Sequence, residues 1–377
     1  MANSNTLTQV IPQLLAQGLL ALRQMAVMPR FVNRGYEALA GEKGSTIDIT
    51  IPSAITAVAV QPSYVPPDDV GVIPTKVAMA LDQWYEAPFF LSDQDMLQAM
   101  NGIIPMQASE AVKALGNNVD AAILALYKQV YGYAGLAGTV PFGSDVSDFL
   151  NADQVLNDQL APLDPRYVVI NSRAKANAMG LRQFQDISYR GDNAGIIKGD
   201  IGEKFGAFWA LDQNVPRHTA GTYTTGYTVN GAALAAAKTV NVSGGALGTL
   251  VAGDIVDFAG NTQTYTIVSS TGASTVTNIV FEPGLVVALS GSEAITKRAS
   301  HRVNLAFHRD AFALASRPFS GADPMGVGTY QSAVDPVSGL ALRLEVSRQH
   351  KRTRFSYDIL YGVKCVRPEL ACRIAGE

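Results

Sequence analysis

The chain has 377 residues, which at roughly 150 residues per domain predicts two or three domains. Charged residues make up only 16% of it and hydrophobic residues 47%, against an average charged share of about 25%, so much of the surface must be neutral, as in proteins that partners cover. The formal net charge of −3 excludes a globally basic nucleic-acid-binding protein. No apolar run reaches the roughly 18 residues of a membrane-spanning helix, so no membrane partner is expected.

The N-terminal segment is predicted to form an amphipathic helix. Apolar residues recur at three- and four-residue spacing from Ile11 to Met25, Thr8 can cap the start, and Pro29 ends the pattern. The first basic residue is Arg23, so the charged region that begins a secretory signal is missing. We therefore expect synthesis in the cytoplasm.

A long β-hairpin is predicted next. Ile47, Ile49 and Ile51 alternate with polar residues, residues 77–82 repeat this period of two, and a proline-rich stretch separates the two segments. An isolated two-stranded ribbon is only marginally stable in water. The hairpin must therefore lie against another surface, in the same chain or in a neighbouring one.

The following residues predict an α+β unit with one long helix. A regular apolar stripe favours a helix over about residues 105–131, which spans roughly 40 Å. A short helix around 154–160, a strand at 167–170 and a helix from an N-cap at Ser172 to Gly180 follow.

Residues 222–296 differ in composition from the chain around them. They contain ten glycines and thirteen threonines but only five charged residues, and short β-patterns recur at 255–258, 265–268 and 276–281. We interpret this stretch as a small all-β domain inserted into the α+β unit.

After residue 297 the sequence again shows the α+β pattern that precedes residue 222. Residues 304–307 predict a strand that leads into a short helix ending near Ala315, and residues 340–366 predict two long strands. Eight basic and three acidic residues lie between Arg343 and Arg373. This net charge of +5 fits a solvated face, a contact between subunits or a surface that faces nucleic acid.

No catalytic, cofactor-binding or metal-binding site is predicted. The four histidines are scattered, the two cysteines Cys365 and Cys372 fit neither a redox nor a zinc motif, and phosphate-binding and nucleophile-elbow strings are absent. An enzyme is therefore not expected, and the cysteines are expected to be buried.

The order of the segments resembles tailed-bacteriophage major capsid proteins, in particular the coat proteins of short-tailed phages that carry an inserted β-domain. Four strings carry the resemblance, in the family's order: IPQLLAQGLLALRQMAVMPRFVNRGYE, GSTIDITIPSAITA, NLAFHRDAFALASRPF and ILYGVKCVRPELACRI. The resemblance implies an α+β fold of the Hong Kong 97 type. It divides the chain as follows: N-arm 1–40, extended loop 41–90, peripheral domain with the spine helix 91–164, axial domain 165–221 and 297–339, inserted β-domain 222–296, and return strands to the peripheral domain 340–377.

The same resemblance implies the function. Such a subunit self-assembles through hexamers and pentamers into an icosahedral procapsid, which matures and encloses double-stranded DNA in the virion after assembly in the bacterial cytoplasm. Copies of itself, a portal and packaged DNA are the expected partners. Because the sequence begins directly at the arm helix, a separate scaffolding protein is also expected. An encapsulin-like shell that stores proteins is the alternative, since it shares the fold.

Candidate contacts between subunits follow from the hairpin, its tip and the basic tail. We expect them at Ile47, Ile49, Ile51, Tyr64, Asp68, Asp69, Arg352 and Arg354.

Overall fold

The computed structural model describes residues 15, 26–36, 46–53, 55, 57, 62, 73–94, 103–186, 199, 201–244, 248–272, 275–317, 328–335 and 338–377. The described helices are α1 (Ile103–Leu124), α2 (Ser147–Asp158), α3 (Ser172–Gly180) and α4 (Arg182–Gln185). The described strands are β1 (Thr46–Ile51), β2 (Thr75–Ala80), β3 (Gln83–Ser92), β4 (Gly132–Ala134), β5 (Arg166–Ile170), β6 (Gly202–Lys204), β7 (Ala207–Leu211), β8 (Arg217–His218), β9 (Tyr227–Val229), β10 (Thr239–Gly244), β11 (Ile255–Phe258), β12 (Tyr265–Thr271), β13 (Asn278–Glu282), β14 (Ile295–Lys297), β15 (His301–His308), β16 (Phe312–Ser316), β17 (Gly328–Val334), β18 (Ala341–Gln349), β19 (Arg352–Cys365) and β20 (Ala371–Gly376).

The body of the molecule is built on two sheets that share one hydrophobic core. One has the order β16-β19-β18-β17, with β3 paired to the first part of β19. The other has the order β4-β20-β15-β5-β7-β6, with β8 paired to β15. Within the second sheet β5 with β7 and β20 with β4 are parallel, so it is mixed. The α+β class predicted from the sequence is confirmed.

Helix α1 packs on β3 and β19 through one apolar stripe. Val112, Leu115 and Val119 on this stripe are buried, as the sequence period predicts. The Tyr361 hydroxyl of β19 donates a hydrogen bond to Asn118 Oδ1 at 2.6 Å and fixes the helix on the sheet. The helix is shorter than predicted, because the chain tightens into a 3-10 turn at Ala125–Gln129 before β4.

Strands β9 to β14 form a separate six-stranded sheet in the order β14-β11-β12-β13-β10-β9. It has its own hydrophobic core, drawn from residues 223–295 and centred on the rings of Phe258, Tyr265 and Phe281, whose centroids lie 5.2–5.3 Å apart. We call residues 222–297 the β-unit. The stretch in which the composition changes therefore has a hydrophobic core of its own, separate from the core of the body.

Two local predictions are corrected. Residues 312–316 form strand β16 and not the end of a short helix, because all five are buried and both faces are covered, Phe312 by the main core and Ala313 by the hairpin. A short apolar run covered on both faces has no period that separates helix from strand. Helix α3 is capped by Asn171, whose Oδ1 accepts the Ala174 N–H at 3.0 Å, and not by Ser172.

One sheet joins segments that the prediction assigns to different domains. Strands β4 and β20, from the predicted peripheral segments 91–164 and 340–377, lie in the same sheet as β5 and β15 from the predicted axial segments. All six residues of β20 are buried between β4 and β15. The domain boundaries remain predictions.

Candidate functional site: assembly surfaces and a buried joint

The hairpin formed by β1 and β2 lies against its own chain. Its register runs from Thr46 opposite Ala80 to Ile51 opposite Thr75, so the predicted alternation is confirmed. Ile47 and Ile49 are 3% and 1% exposed. They pack into a small apolar cluster with Met79, Leu81, Ala313, Ala315 and Val366.

Their own chain thus covers the side chains of Ile47 and Ile49, and a contact of the hairpin with a neighbouring subunit stays a prediction. Ile51 is half-buried against the same cluster. The tip residues Tyr64, Asp68 and Asp69 lie outside the described residues. Their contact with a neighbour stays a prediction.

Helix α1 holds the end of the N-terminal segment through one buried carboxylate. Asp120 is fully buried, and its Oδ2 and Oδ1 accept the backbone N–H groups of Val27 and Met28, each at 3.1 Å. A few residues on, Asn33 forms a parallel bridge to Ala313 of β16. The segment 26–36 is therefore tied to both the helix and the sheet. Apart from Leu15, the predicted N-terminal helix before residue 26 lies outside the described residues.

Burial raises the pKa of Asp120 to about 8, and the negative charge of Asp212 adds to the rise, while the two N–H donors and Arg30 oppose it. Burial also raises the pKa of Asp212. A carboxyl whose pKa is higher in the folded than in the unfolded chain binds more protons when folded. The stability it contributes is therefore greatest at low pH and is lost as the pH rises toward 8.

Replacing Asp120 by asparagine is expected to flatten this pH dependence. Between about pH 5 and pH 8 the free energy of unfolding of the isolated subunit should fall more steeply for the wild type than for Asp120→Asn, because only the wild type has a carboxyl at this position to titrate. Urea denaturation at several pH values measures it. Asp145→Asn is the control, since the pKa of the exposed Asp145 is lowered and it stays ionised throughout. Parallel curves for the wild type and Asp120→Asn would contradict the expectation.

The two basic residues predicted to contact a neighbour have partners in their own chain. Arg354 donates to both carboxylate oxygens of Glu86 on β3, at 2.8 and 3.0 Å. Arg352 donates to Gln349 Oε1 at 2.6 Å, and its guanidinium lies 4.9 Å from the ring centroid of Phe90. Both side chains thus join β19 to adjacent parts of its sheet. A contact with a second subunit stays a prediction.

The β-unit joins the body where the chain enters and leaves it. Strand β8 precedes the unit and β15 follows it, and His218 and His301 are direct partners in the register of these two strands. The two imidazole centroids lie 5.5 Å apart. Residues separated by 83 positions therefore meet at one place, which the scattered histidines of the sequence do not reveal.

We call the meeting place of His218, His301 and their neighbours Tyr127, Asp254 and Arg373 the joint. A chain of hydrogen bonds runs through it. The Tyr127 hydroxyl lies 3.1 Å from His218 Nδ1, and His218 Nε2 lies 2.9 Å from Asp254 Oδ1 of the β-unit. Asp254 also accepts the backbone N–H groups of Gly221 and Val251. His301 Nδ1 donates to the Ala299 carbonyl at 2.7 Å, and burial lowers the His301 pKa to about 4, so this ring is neutral.

Arg373 of β20 completes the joint from the side of the body. It is fully buried, and it donates to the Gly253 carbonyl at 2.7 Å and to Thr266 Oγ1 at 3.0 Å, both in the β-unit. Its guanidinium lies 5.1 Å from the ring centroid of Tyr127. Burial lowers the Arg373 pKa to about 9.

Two threonine hydroxyl groups, one on strand β12 and one just before it, extend the contact. Thr266 Oγ1 donates to the Lys128 carbonyl at 2.9 Å, and Thr264 Oγ1 donates to the Tyr131 carbonyl at 2.6 Å. These carbonyls follow the end of α1, where the helix no longer uses them. The β-unit is therefore docked by polar groups and not by a shared apolar core.

The joint contains the groups of a proton relay, but its position makes it structural. His218, Asp254 and Arg373 are all within 2% of complete burial, so a substrate cannot reach them. In the described part of the chain no group of three or more metal-ligating side chains is found. Cys365 and Cys372 are buried free thiols, as predicted. None of the described helices is long and apolar enough to cross a membrane.

The long helix on a two-sheet body, the separate β-unit and the docked hairpin together form an architecture that is also found among solved structures. A structure from Mycobacterium phage Che8 matches with a TM-score of 0.51 and 18% identity, over 93% of this chain and 90% of that one. The capsid structure of the cyanophage P-SCSP1u matches with a TM-score of 0.51 and 10% identity, over 92% of this chain and 86% of that one. No family model matches the sequence, and neither does any curated protein.

The chain has the fold of tailed-phage major capsid proteins, the Hong Kong 97-type fold. The resemblance drawn from the four sequence strings is confirmed at this level. Nine-tenths of both chains are aligned in the first match, so the likeness covers the whole architecture and not one motif.

Proposed function

We propose that this chain is the major capsid protein of a short-tailed phage, with the β-unit as the inserted domain of that branch and α1 as the spine helix. The fold shared with the P-SCSP1u capsid structure over 92% of the chain is the observation that carries the proposal. Hexamers and pentamers of the subunit assemble into an icosahedral procapsid, which matures and encloses double-stranded DNA. The protein acts as a structural subunit and not as an enzyme.

The exposed apolar side chains support assembly. Trp84, Tyr85 and Phe90 of β3 are 48%, 42% and 61% exposed, although they belong to an ordered strand beside the core. Large apolar side chains that stay exposed along an ordered strand offer surface that another protein can cover. Copies of the same chain are the partners that a shell supplies.

The remaining partners follow from the resemblance. A scaffolding protein and a portal take part in assembly in the host cytoplasm, packaged DNA lies on the inner surface, and the mature subunit resides in the virion. The basic tail between Arg343 and Arg373 contributes little free charge to a DNA contact, because Arg343 is paired with Asp358, Arg354 with Glu86 and Arg373 is buried.

Electron microscopy of particles tests the proposal. Purified subunits, alone and co-expressed with candidate scaffolding proteins from the same genome, should give hexameric rings or closed shells in negative stain. Particles from infected cells should contain nuclease-protected double-stranded DNA. Shells that enclose a protein cargo and no DNA would support the encapsulin-like alternative, and a monomer under all conditions would contradict both.

A further inference from the structure

The joint contains a buried histidine nitrogen that has no hydrogen-bond partner. His301 is fully buried, and its Nδ1 donates to the Ala299 carbonyl. Among the described residues, its Nε2 is buried without a partner. His218 beside it differs, because Tyr127 and Asp254 occupy both of its ring nitrogens. A proton that binds to His301 therefore creates an N–H group that has no acceptor in the closed joint.

The charges around His301 oppose a further positive charge. The titratable side chains that face the joint are Tyr127 of the 3-10 turn, Tyr133 of β4, His218 of β8, Asp254 before β11, Lys297 of β14 and Arg373 of β20, with Lys128 and the ion pair of Arg298 and Asp257 at its rim. Burial raises the pKa of both tyrosines, so their hydroxyl groups are neutral. Asp254 thus faces two cations, Lys297 and Arg373, and a charged His301 would remain uncompensated in the interior.

The contact between the body and the β-unit is the part of this region that opens at the lowest cost. The two have separate hydrophobic cores, and hydrogen bonds join them at the joint. Water replaces such bonds when the contact opens, whereas opening either core would expose apolar side chains. His301 is the first residue of β15, and its pairing with β8 has one further residue pair, Arg217 with Arg302, whose side chains alternate to the opposite face.

We propose that the joint is an acid-sensitive latch, in which protonation of His301 releases the β-unit from the body while both keep their folds. Burial lowers the pKa of the closed-state ring from 6.5 to about 4, and the charge of Arg373 adds to the effect. The open joint therefore binds more protons, so the closed joint is favoured above about pH 6.5 and loses this advantage as the pH falls toward 4. The ratio of released to docked subunits should rise about twentyfold between pH 7 and pH 5.

Hydrogen exchange of the isolated subunit at these two pH values tests the proposal. Protection relative to the unfolded chain at the same pH should fall about twentyfold at the amides of Gly221 and Val251, which bond to Asp254 in the closed joint. It should change far less in strand β13 and in helix α1, because both cores stay formed. Equal protection of the joint at pH 7 and pH 5, or a loss of the same size in β13, would overturn the proposal.

A variant that cannot titrate separates the latch from general acid sensitivity. In His301→Asn the carboxamide nitrogen can replace the Nδ1 donor to the Ala299 carbonyl and gains no proton in this range, so the loss of protection at pH 5 should disappear. His350→Asn is the matched control, since His350 is exposed and its variant should keep the wild-type response. The same acid response in His301→Asn as in the wild type would contradict the latch.

NMR titration of the wild type gives a readout that depends on no variant. The His301 ring should remain neutral at pH values where an exposed histidine is already protonated, and its protonation should accompany the loss of protection at the joint. A ring that titrates near pH 6.5 while the joint stays protected would overturn the proposal. Because the isolated subunit suffices, the outcome is independent of the proposed function.

Discussion

Adding one methyl group at Gly362 is expected to displace the hairpin from the body. A Cβ atom at this position of β19 would lie 2.3 Å from the Ala80 carbonyl oxygen and 3.3 Å from Leu81 Cα. Both contacts are with backbone at the end of β2, so no side chain can rotate away. The displaced hairpin would uncover Ile47 and Ile49, and we expect Gly362→Ala to lower the free energy of unfolding by about 3 kcal/mol, the upper end of the usual cost of overpacking.

Urea denaturation of the isolated subunit measures this loss, and limited proteolysis within residues 46–80 reports on the hairpin. Gly180→Ala is the matched control: nothing lies within 4 Å of a Cβ at that position, so its stability should change little. If the proposed function holds, Gly362→Ala should also reduce particle yield. Equal stability of the two alanine variants would show that the hairpin does not approach β19 as described.

Replacing Arg373 by methionine is expected to undock the β-unit. The change leaves the Gly253 carbonyl without its donor and removes a cation that interacts with Asp254, where both side chains are fully buried. A hydrogen bond between a charged group and a buried neutral partner contributes about 1.5–3 kcal/mol, and Arg373 donates two of them. Because the β-unit keeps its own core, it should stay folded while its contact with the body loosens.

Hydrogen exchange separates these two outcomes. In Arg373→Met, protection should fall at the residues of the joint, around Gly221 and Gly253, more than at the centre of the β-unit. Arg354→Met is the control, since its ion pair with Glu86 lies at the surface and should be worth less than about 1 kcal/mol. Unfolding of Arg373→Met at the wild-type urea concentration would contradict the docking role.

Hydrophobic periodicity predicts secondary structure best for elements that have one buried face and one solvent-exposed face. The alternation around Ile47 and Ile49 predicts the hairpin and its buried face, and the stripe on α1 predicts the buried face of that helix. The same reasoning fails for strand β16. When both faces of a strand are covered, apolar residues occupy both of them and the sequence shows no hydrophobic period. The hairpin was also predicted to need another surface, but its period does not say which chain supplies that surface.

The joint was beyond sequence reasoning for a different reason. Its members lie at positions 127, 218, 254, 301 and 373, and only the pairing of β8 with β15 and of β20 with β15 brings them together. Composition alone groups Arg373 with the other basic residues of 343–373, because it does not distinguish a buried arginine from a solvent-exposed one. Three of the predicted contact residues, at the tip of the extended loop, lie outside the described residues and remain predictions.

Strand β20 also sets the order in which the subunit can be completed during synthesis. Residues 371–376 pair with β15 and with β4, which leaves the ribosome about 240 residues earlier, and they carry the arginine that reaches the β-unit. Until they emerge, the mixed sheet has an open edge and the β-unit lacks the hydrogen bonds that Arg373 donates to it. A nascent chain that has already formed its hairpin and helix α1 therefore still lacks a complete mixed sheet until residues 371–376 have left the ribosome.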